Sequence, residues 1–114
     1  MRLSDFQVRQ IVAIVESVFP HTKHIILFGS RLNDEISGGD IDLYIEVFDE
    51  LGHAAEIRKT LIAELRLALK TTAIDVLFFS PNIEELPMHR IAKETGVCLN
   101  QTVQALDKEL LESV

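Results

Sequence analysis

The chain has 114 residues, of which 47% are hydrophobic and 25% charged, with one cysteine and a formal net charge of −7. These values are typical of a folded protein, so we expect one domain over residues 1–114 and exclude long disorder and a disulfide framework. The acidic balance disfavours stable binding to nucleic acid. Because no apolar run approaches the length of a membrane span, we expect a cytoplasmic protein without membrane contact.

The first part of the chain predicts a helix followed by a strand. Apolar residues recur at helical spacing over about 5–19, Ser4 is placed as the N-cap, and Pro20 closes the helix. A short, wholly apolar run at 25–28 then stops at Gly29. A run of this kind predicts a buried strand.

The middle of the chain predicts a second strand, a helix and a third strand. Residues 40–47 alternate between an apolar and a polar face, and residues 54–70 carry apolar side chains at helical spacing. Residues 73–79 are apolar except for Asp75. Because no long helix separates the strand at 25–28 from the strand at 40–47, we expect an antiparallel pair and hence a mixed sheet.

The last third predicts two helices around a short strand. A Ser-Pro pair at 80–81 is typical of a helix start, which places a helix at 82–94 with Pro87 as a break within it. A short strand at 97–99 and a helix at 101–112 complete the order. Strands that alternate with helices predict an α/β (α+β) domain, a small mixed sheet flanked by helices.

Some residues outside these patterns receive structural interpretations. The histidines lack metal-ligand spacing, and Tyr44 on the polar face of its strand is expected to shield a site rather than to stack on a ligand. The leucine stripe of the last helix is expected to close the core, with partner docking as the alternative. The histidines, interpreted as surface or capping residues, are His21, His24, His53 and His89, and the leucines are Leu106, Leu110 and Leu111.

Three carboxylates stand out in otherwise apolar strands. Asp40 and Asp42 project from one face of the same strand, about 6.5–7 Å apart along it, and Asp75 interrupts the next strand. Like charges on one face repel and are costly to bury, and a hard divalent cation resolves that conflict. The alternatives are a solvent-facing strand edge for the pair and a salt-bridged core residue for Asp75. If the two strands are neighbours, all three carboxylates converge.

A Gly-Ser pair ends the first strand. Gly29 permits a sharp turn and the close approach of a ligand, and Ser30 would offer its hydroxyl and backbone N–H to a phosphate. The alternative is an ordinary strand-to-helix turn in which Ser30 is the N-cap.

Together these features resemble the signature of the nucleotidyltransferase superfamily. Its order is Gly-Ser, a loop of about ten residues, Asp-x-Asp within a strand, and a third acid on a later strand; here the loop comprises nine residues, 31–39. The segment from about Ile25 to Phe79 carries the pattern and is similar to the minimal nucleotidyltransferase (MNT) branch. The resemblance implies a polymerase beta-like nucleotidyltransferase fold. The chain departs from the common pattern after Arg31, where Leu32-Asn33-Asp34-Glu35 contains two acids.

The resemblance also implies the chemistry of the site. The three acids would be catalytic and would bind two Mg²⁺ ions and, through them, ATP. Gly29 and Ser30 would bind its phosphates, and Arg31 would add a positive charge. The residues implied as catalytic and metal-binding are Asp40, Asp42 and Asp75.

A partner protein is implied as well. MNT domains act as antitoxins that transfer AMP from ATP to a tyrosine of a HEPN ribonuclease toxin, and the short stretch after Asp75 leaves little room for a domain that binds the acceptor. We therefore expect a second chain to present the acceptor hydroxyl. The alternatives are transfer to a small hydroxylated molecule, such as an aminoglycoside, or a non-catalytic antitoxin that masks its partner.

Overall fold

The computed structural model describes residues 3–29, 40–71 and 73–112. Its elements are α1 (Asp5–Val18), β1 (Thr22–Phe28), β2 (Ile41–Val47), α2 (Ala54–Leu69), β3 (Ile74–Phe79), α3 (Pro87–Thr95), β4 (Val97–Cys98) and α4 (Leu99–Glu112). Within these ranges, no helix combines the length and the hydropathy that a membrane crossing requires. The predicted element order is confirmed, and the main difference is where α3 begins.

The described strands form one mixed sheet in the order β3-β2-β1-β4. β1 pairs antiparallel with β2 and with β4, whereas β2 pairs parallel with β3. The antiparallel β1–β2 pair is the one predicted from the lack of a long helix between them. The parallel pair needs a crossover, and α2 supplies it.

One face of the sheet carries the main hydrophobic core. The apolar set of β2, which includes Ile41, Leu43 and Ile45, is buried on this face against α1 and α2. From α2, Leu61 and Leu65 pack into the same core. Because side chains of a strand alternate between faces, the polar set of β2 must point to the opposite face.

The opposite face is covered in part by α3. Ala92 of α3 packs with Ile26 of β1 and Tyr44 of β2, and all three side chains are buried. The Tyr44 hydroxyl donates to Glu46 Oε1 at 2.7 Å. Burial, followed by this bond and by nearby negative charge, raises the Tyr44 pKa. Tyr44 is therefore a packing residue beneath α3, with no exposed ring surface on which a ligand could stack.

α3 begins at Pro87, so the predicted start at 82 is wrong. Ser80 is buried and its hydroxyl donates to the side chain of Asn82, while Ile83 N–H donates to the Ser80 carbonyl at 3.0 Å. These bonds make the Ser-Pro pair part of a turn. Pro87 occupies the first helical turn, where its missing N–H costs no helical bond.

His89 fixes the start of α3 to the sheet: its prediction as a capping residue is confirmed, whereas the alternative of a surface residue is wrong. The residue is 2% exposed. Leu86 N–H donates to Nδ1 at 2.9 Å, so Nε2 carries the hydrogen and donates to the Phe78 carbonyl at 3.0 Å. The bond from Leu86 is a capping interaction, and the spacing Leu86 to His89 is that of a capping box. This spacing was the sequence signal from which the capping role of His89 could have been predicted.

The leucine stripe of α4 does not close the core. Leu110 is 60% exposed and Leu111 is 79% exposed, whereas Leu106 is partly buried. From this helix, Leu99 is fully buried in the core and Val103 is partly buried against it.

Gly96 allows α3 to pass directly into β4 against the sheet. A methyl group built on Gly96 would overlap the Ile26 side chain and the carbonyl oxygens of Ala92, at 2.6 Å, and Leu27, at 2.8 Å. Two of these neighbours are backbone atoms, which cannot move without shifting the strand or the helix.

We expect Gly96→Ala to lower the free energy of unfolding by about 1–3 kcal/mol, the usual cost of overpacking. Gly52→Ala is the matched control, because no atom lies within 4 Å of a methyl group at that position. Urea unfolding at equal m-value measures the difference. Equal midpoints for the two variants would contradict the close packing of α3 on the sheet.

Candidate active site

The three predicted acids lie at one end of the sheet. Asp42 on β2 is the direct register partner of Asp75 on β3, and Asp40 immediately precedes β2. Neighbouring strands are about 4.7–4.9 Å apart and register partners point to the same face, so Asp42 and Asp75 are adjacent. Asp40 shares their face because it is two positions from Asp42. β2 and β3 are therefore neighbouring strands, which is the condition under which the sequence predicted that the three carboxylates converge.

The carboxylates act on one another electrostatically. The pKa of Asp42 is raised above 3.8, first by burial and then by the negative charges of Asp40 and Asp75. Asp75 is exposed, which excludes the interpretation of a salt-bridged core residue. Its Oδ1 accepts the backbone N–H of Val76 at 2.9 Å, a bond that restrains the carboxylate at the end of β3.

Gly29 brings the end of β1 against the Asp42 carboxylate. Its φ is +81°, a conformation that side chains disfavour, and a Cβ at this position would lie 2.5 Å from Asp42 Oδ2. Glycine is therefore required both by the backbone angle and by the contact. Ser30 and Arg31 lie outside the described residues, so their predicted role in nucleotide binding stays a prediction.

The donor set fits a hard divalent cation. Carboxylate oxygens are the ligands that Mg²⁺ prefers, and the repulsion that raises the pKa of Asp42 would be relieved by a cation. Within residues 3–29, 40–71 and 73–112, no group of three potential ligands is already assembled at metal-binding distance. Mg²⁺ commonly keeps several waters and uses only one or two protein carboxylates together with substrate phosphates, so a preassembled group is not required.

An apolar surface adjoins the acids, and sequence reasoning missed it. Phe28, the last residue of β1, is the register partner of Asp42, and Leu77 follows Asp75 by two positions on the same face. Both side chains are partly buried. The period-2 reading used for β2, applied to β3, would have placed Leu77 beside Asp75. The position of Phe28 beside Asp42 could be predicted only with knowledge of the β1–β2 register.

No protein-family model and no curated protein matches the chain. Solved structures of toxin–antitoxin complexes do match. A chain of the complex between tri-AMPylated Shewanella oneidensis HEPN toxin and MNT antitoxin has a TM-score of 0.63 at 18% identity, over 97% of this chain and 98% of that chain. A chain of the MntA-HepT complex has a TM-score of 0.62 at 18% identity, over 96% of this chain and 97% of that chain.

A third structure is a mutant form of such a toxin–antitoxin complex with two Asp-to-Glu substitutions two positions apart. It matches with a TM-score of 0.65 at 17% identity, over 97% of this chain and 98% of that chain. At this identity the likeness establishes the fold. The chain has the mixed α+β fold found in MNT antitoxin complexes, as the resemblance implied.

Asp42→Asn tests the repulsion within the acid cluster. A carboxyl whose folded pKa is raised binds more protons in the folded state, so stability falls as pH rises from the unfolded value near 3.8 through the folded pKa. Removing the charge should therefore raise the free energy of unfolding at pH 7. The gain should shrink as the pH approaches the unfolded value.

Urea unfolding at a series of pH values measures this difference. Glu64→Gln on the exposed face of α2 is the control, and it should give no comparable gain. A loss of stability in Asp42→Asn at pH 7 would show that the cluster is not under electrostatic repulsion.

Proposed function

We propose that this protein is a Mg²⁺-dependent nucleotidyltransferase that transfers AMP from ATP to a tyrosine hydroxyl of a partner HEPN toxin, and that it thereby acts as the antitoxin. One observation carries the proposal. Asp42 and Asp75 face each other in register beside the positive-φ turn at Gly29, within the fold found in MNT antitoxin complexes.

The acids would hold the metal. Asp42 is partly buried and is subject to the negative charges of Asp40 and Asp75, so a cation there would be attracted by three carboxylates and would relieve their mutual repulsion. When bound, Mg²⁺ supplies Lewis-acid stabilisation of the charge that develops on the phosphate oxygens. Two ions are proposed because three carboxylates on two strands offer more oxygen ligands than one hydrated Mg²⁺ requires.

Asp75 is suited to act on the acceptor. It is exposed at the end of an outer strand, whereas Asp42 is partly enclosed. Asp75 would orient the acceptor hydroxyl and take its proton as the oxygen forms a bond to the α-phosphorus of ATP. The bond from that phosphorus to the bridging oxygen breaks, and pyrophosphate leaves.

The turn after β1 would receive the phosphates. Gly29 has no side chain and its backbone lies against the Asp42 carboxylate, so phosphates held at the acids would lie close to that backbone. Ser30 and Arg31 follow directly in the sequence, and we propose that they bind the β- and γ-phosphates.

The structural neighbours support the partner and the reaction. One is a complex with a tri-AMPylated HEPN toxin, which is the expected product of AMP transfer to a partner. Another carries Asp-to-Glu substitutions with the same spacing as Asp40 and Asp42. A second chain as the source of the acceptor also agrees with the open, outer position of Asp75.

The test is to co-express the protein with its HEPN partner and to measure the intact mass of the partner. We expect mass additions equal to whole AMP units and protection of the cells. The double variant Asp40→Asn/Asp42→Asn should give an unmodified partner and restore toxicity, whereas the control variant Glu64→Gln should behave like the unsubstituted protein.

Two results would contradict the proposal. An unmodified partner in a stable complex, with protection retained in the double variant, would identify a masking antitoxin. Release of pyrophosphate from ATP only when an aminoglycoside or similar small molecule is added would identify a small-molecule nucleotidyltransferase.

A further inference from the structure

Two exposed apolar side chains lie on α3 and are not explained by packing. Met88 is 50% exposed and Ile91 is 49% exposed, although α3 is otherwise a polar helix with charged residues on its outer surface. The two are three positions apart, so they lie on one flank of the helix. Exposed apolar groups that cluster are characteristic of binding surfaces.

The contacts of α3 determine which flank faces the acids. Ala92 packs on Ile26 and Tyr44 in the middle of the sheet. The Lys93 ammonium lies 5.3 Å from the centroid of the Phe79 ring, and Phe79 is the register partner of Glu46, at the end of the sheet away from the acids. One flank of α3 therefore faces that distal end.

The other flank must face the acids. Successive residues of an α-helix are rotated by about 100° around its axis. With Ala92 directed at the sheet and Lys93 at the distal end, Met88 and Ile91 project from the opposite side of α3. That side overlooks the end of the sheet that carries Asp42 and Asp75.

The sheet surface between this flank of α3 and the acids is also apolar. Phe28 and Leu77 point from the same sheet face, are partly buried, and belong to the cluster that packs with Ala92. Leu77 is two residues from Asp75, about 6.5–7 Å along the strand. We call Phe28, Leu77, Met88 and Ile91 the apolar ledge.

We propose that the apolar ledge binds the planar base of the nucleoside triphosphate whose phosphates are held at the acids. This inference rests on the proposed function and adds a binding site for the base. The apolar ledge adjoins the acids on one sheet face, which matches a ligand with a charged end and a flat, weakly polar end. Met88 suits such a surface because its thioether is flexible and polarisable and makes favourable contacts with aromatic rings.

The test compares two probes that differ by the nucleoside. Binding of Mg²⁺-ATP and of Mg²⁺-tripolyphosphate is measured by calorimetry for the unsubstituted protein and for Met88→Gln/Ile91→Gln, since glutamine retains good helix propensity. We expect ATP to bind about tenfold more weakly to the double variant, because apolar contact with the base is lost. Tripolyphosphate, which has no base, should bind with unchanged affinity.

Leu67→Gln is the matched control, because Leu67 is 82% exposed on α2, on the other side of the sheet. It should leave the affinities for both probes unchanged. Unchanged tripolyphosphate binding in the double variant also shows that its fold and its acid cluster are intact.

The remaining outcomes distinguish a failure of the base-binding proposal from a failure of the proposed function. Unchanged ATP affinity in the double variant overturns the apolar ledge as a base site, and if modification of the partner is lost as well, the apolar ledge binds the acceptor. An equal loss of affinity for both probes also overturns it, since the effect would not depend on the base. If the unsubstituted protein binds neither probe, the proposed function fails together with the apolar ledge.

Discussion

The candidate site depends on the parallel pairing of β2 with β3. This pairing sets Asp42 opposite Asp75, and it exists because α2 returns the chain to the same end of the sheet. Leu61 and Leu65 of α2, both fully buried, supply the apolar contact that holds the crossover against the core. The interaction between two like charges is thus imposed by hydrophobic packing on the opposite face.

The two faces of the sheet have different roles in the fold. One face is covered by α1 and α2 and forms the main core, which stabilises a sheet that also carries unfavourable charge. Among the described residues, the other face is covered in part by α3, with Tyr44 and His89 buried beneath it. Asp75, at the end of this face away from Phe79, is exposed.

The structure places part of the protein's negative charge at the acid cluster. Part of the excess of acids is concentrated where burial and neighbouring charge raise the pKa of Asp42. Bound divalent cations would offset this negative charge, and the proposed transfer reaction uses them. The acidic composition, which initially only disfavoured nucleic acid, is therefore consistent with a metal site.

Local sequence signals predicted much of this architecture. α1, β2, α2 and β3 were predicted to within about two residues, because the first three have a strong apolar periodicity over their whole length and β3 is an apolar run interrupted only by Asp75. The start of α3 was wrong because both proline sites carry a helix-start signal, and only the bonds of Ser80 in the turn and of His89 to the sheet decide between them. Tyr44 and His89 are likewise buried by contact with each other and with α3. Contacts between segments far apart in the chain cannot be predicted from a local sequence pattern.

The sequence by itself determined which carboxylates are present, their spacing, and that Asp40 and Asp42 share a face, because alternation along one strand is a local property. Only the tertiary structure decided that Asp75 joins them, that Gly29 abuts Asp42, and that the flank of α3 overlooks both. These are relations between segments far apart in the chain. Strand register and helix placement set them, and both arise from packing of the whole domain.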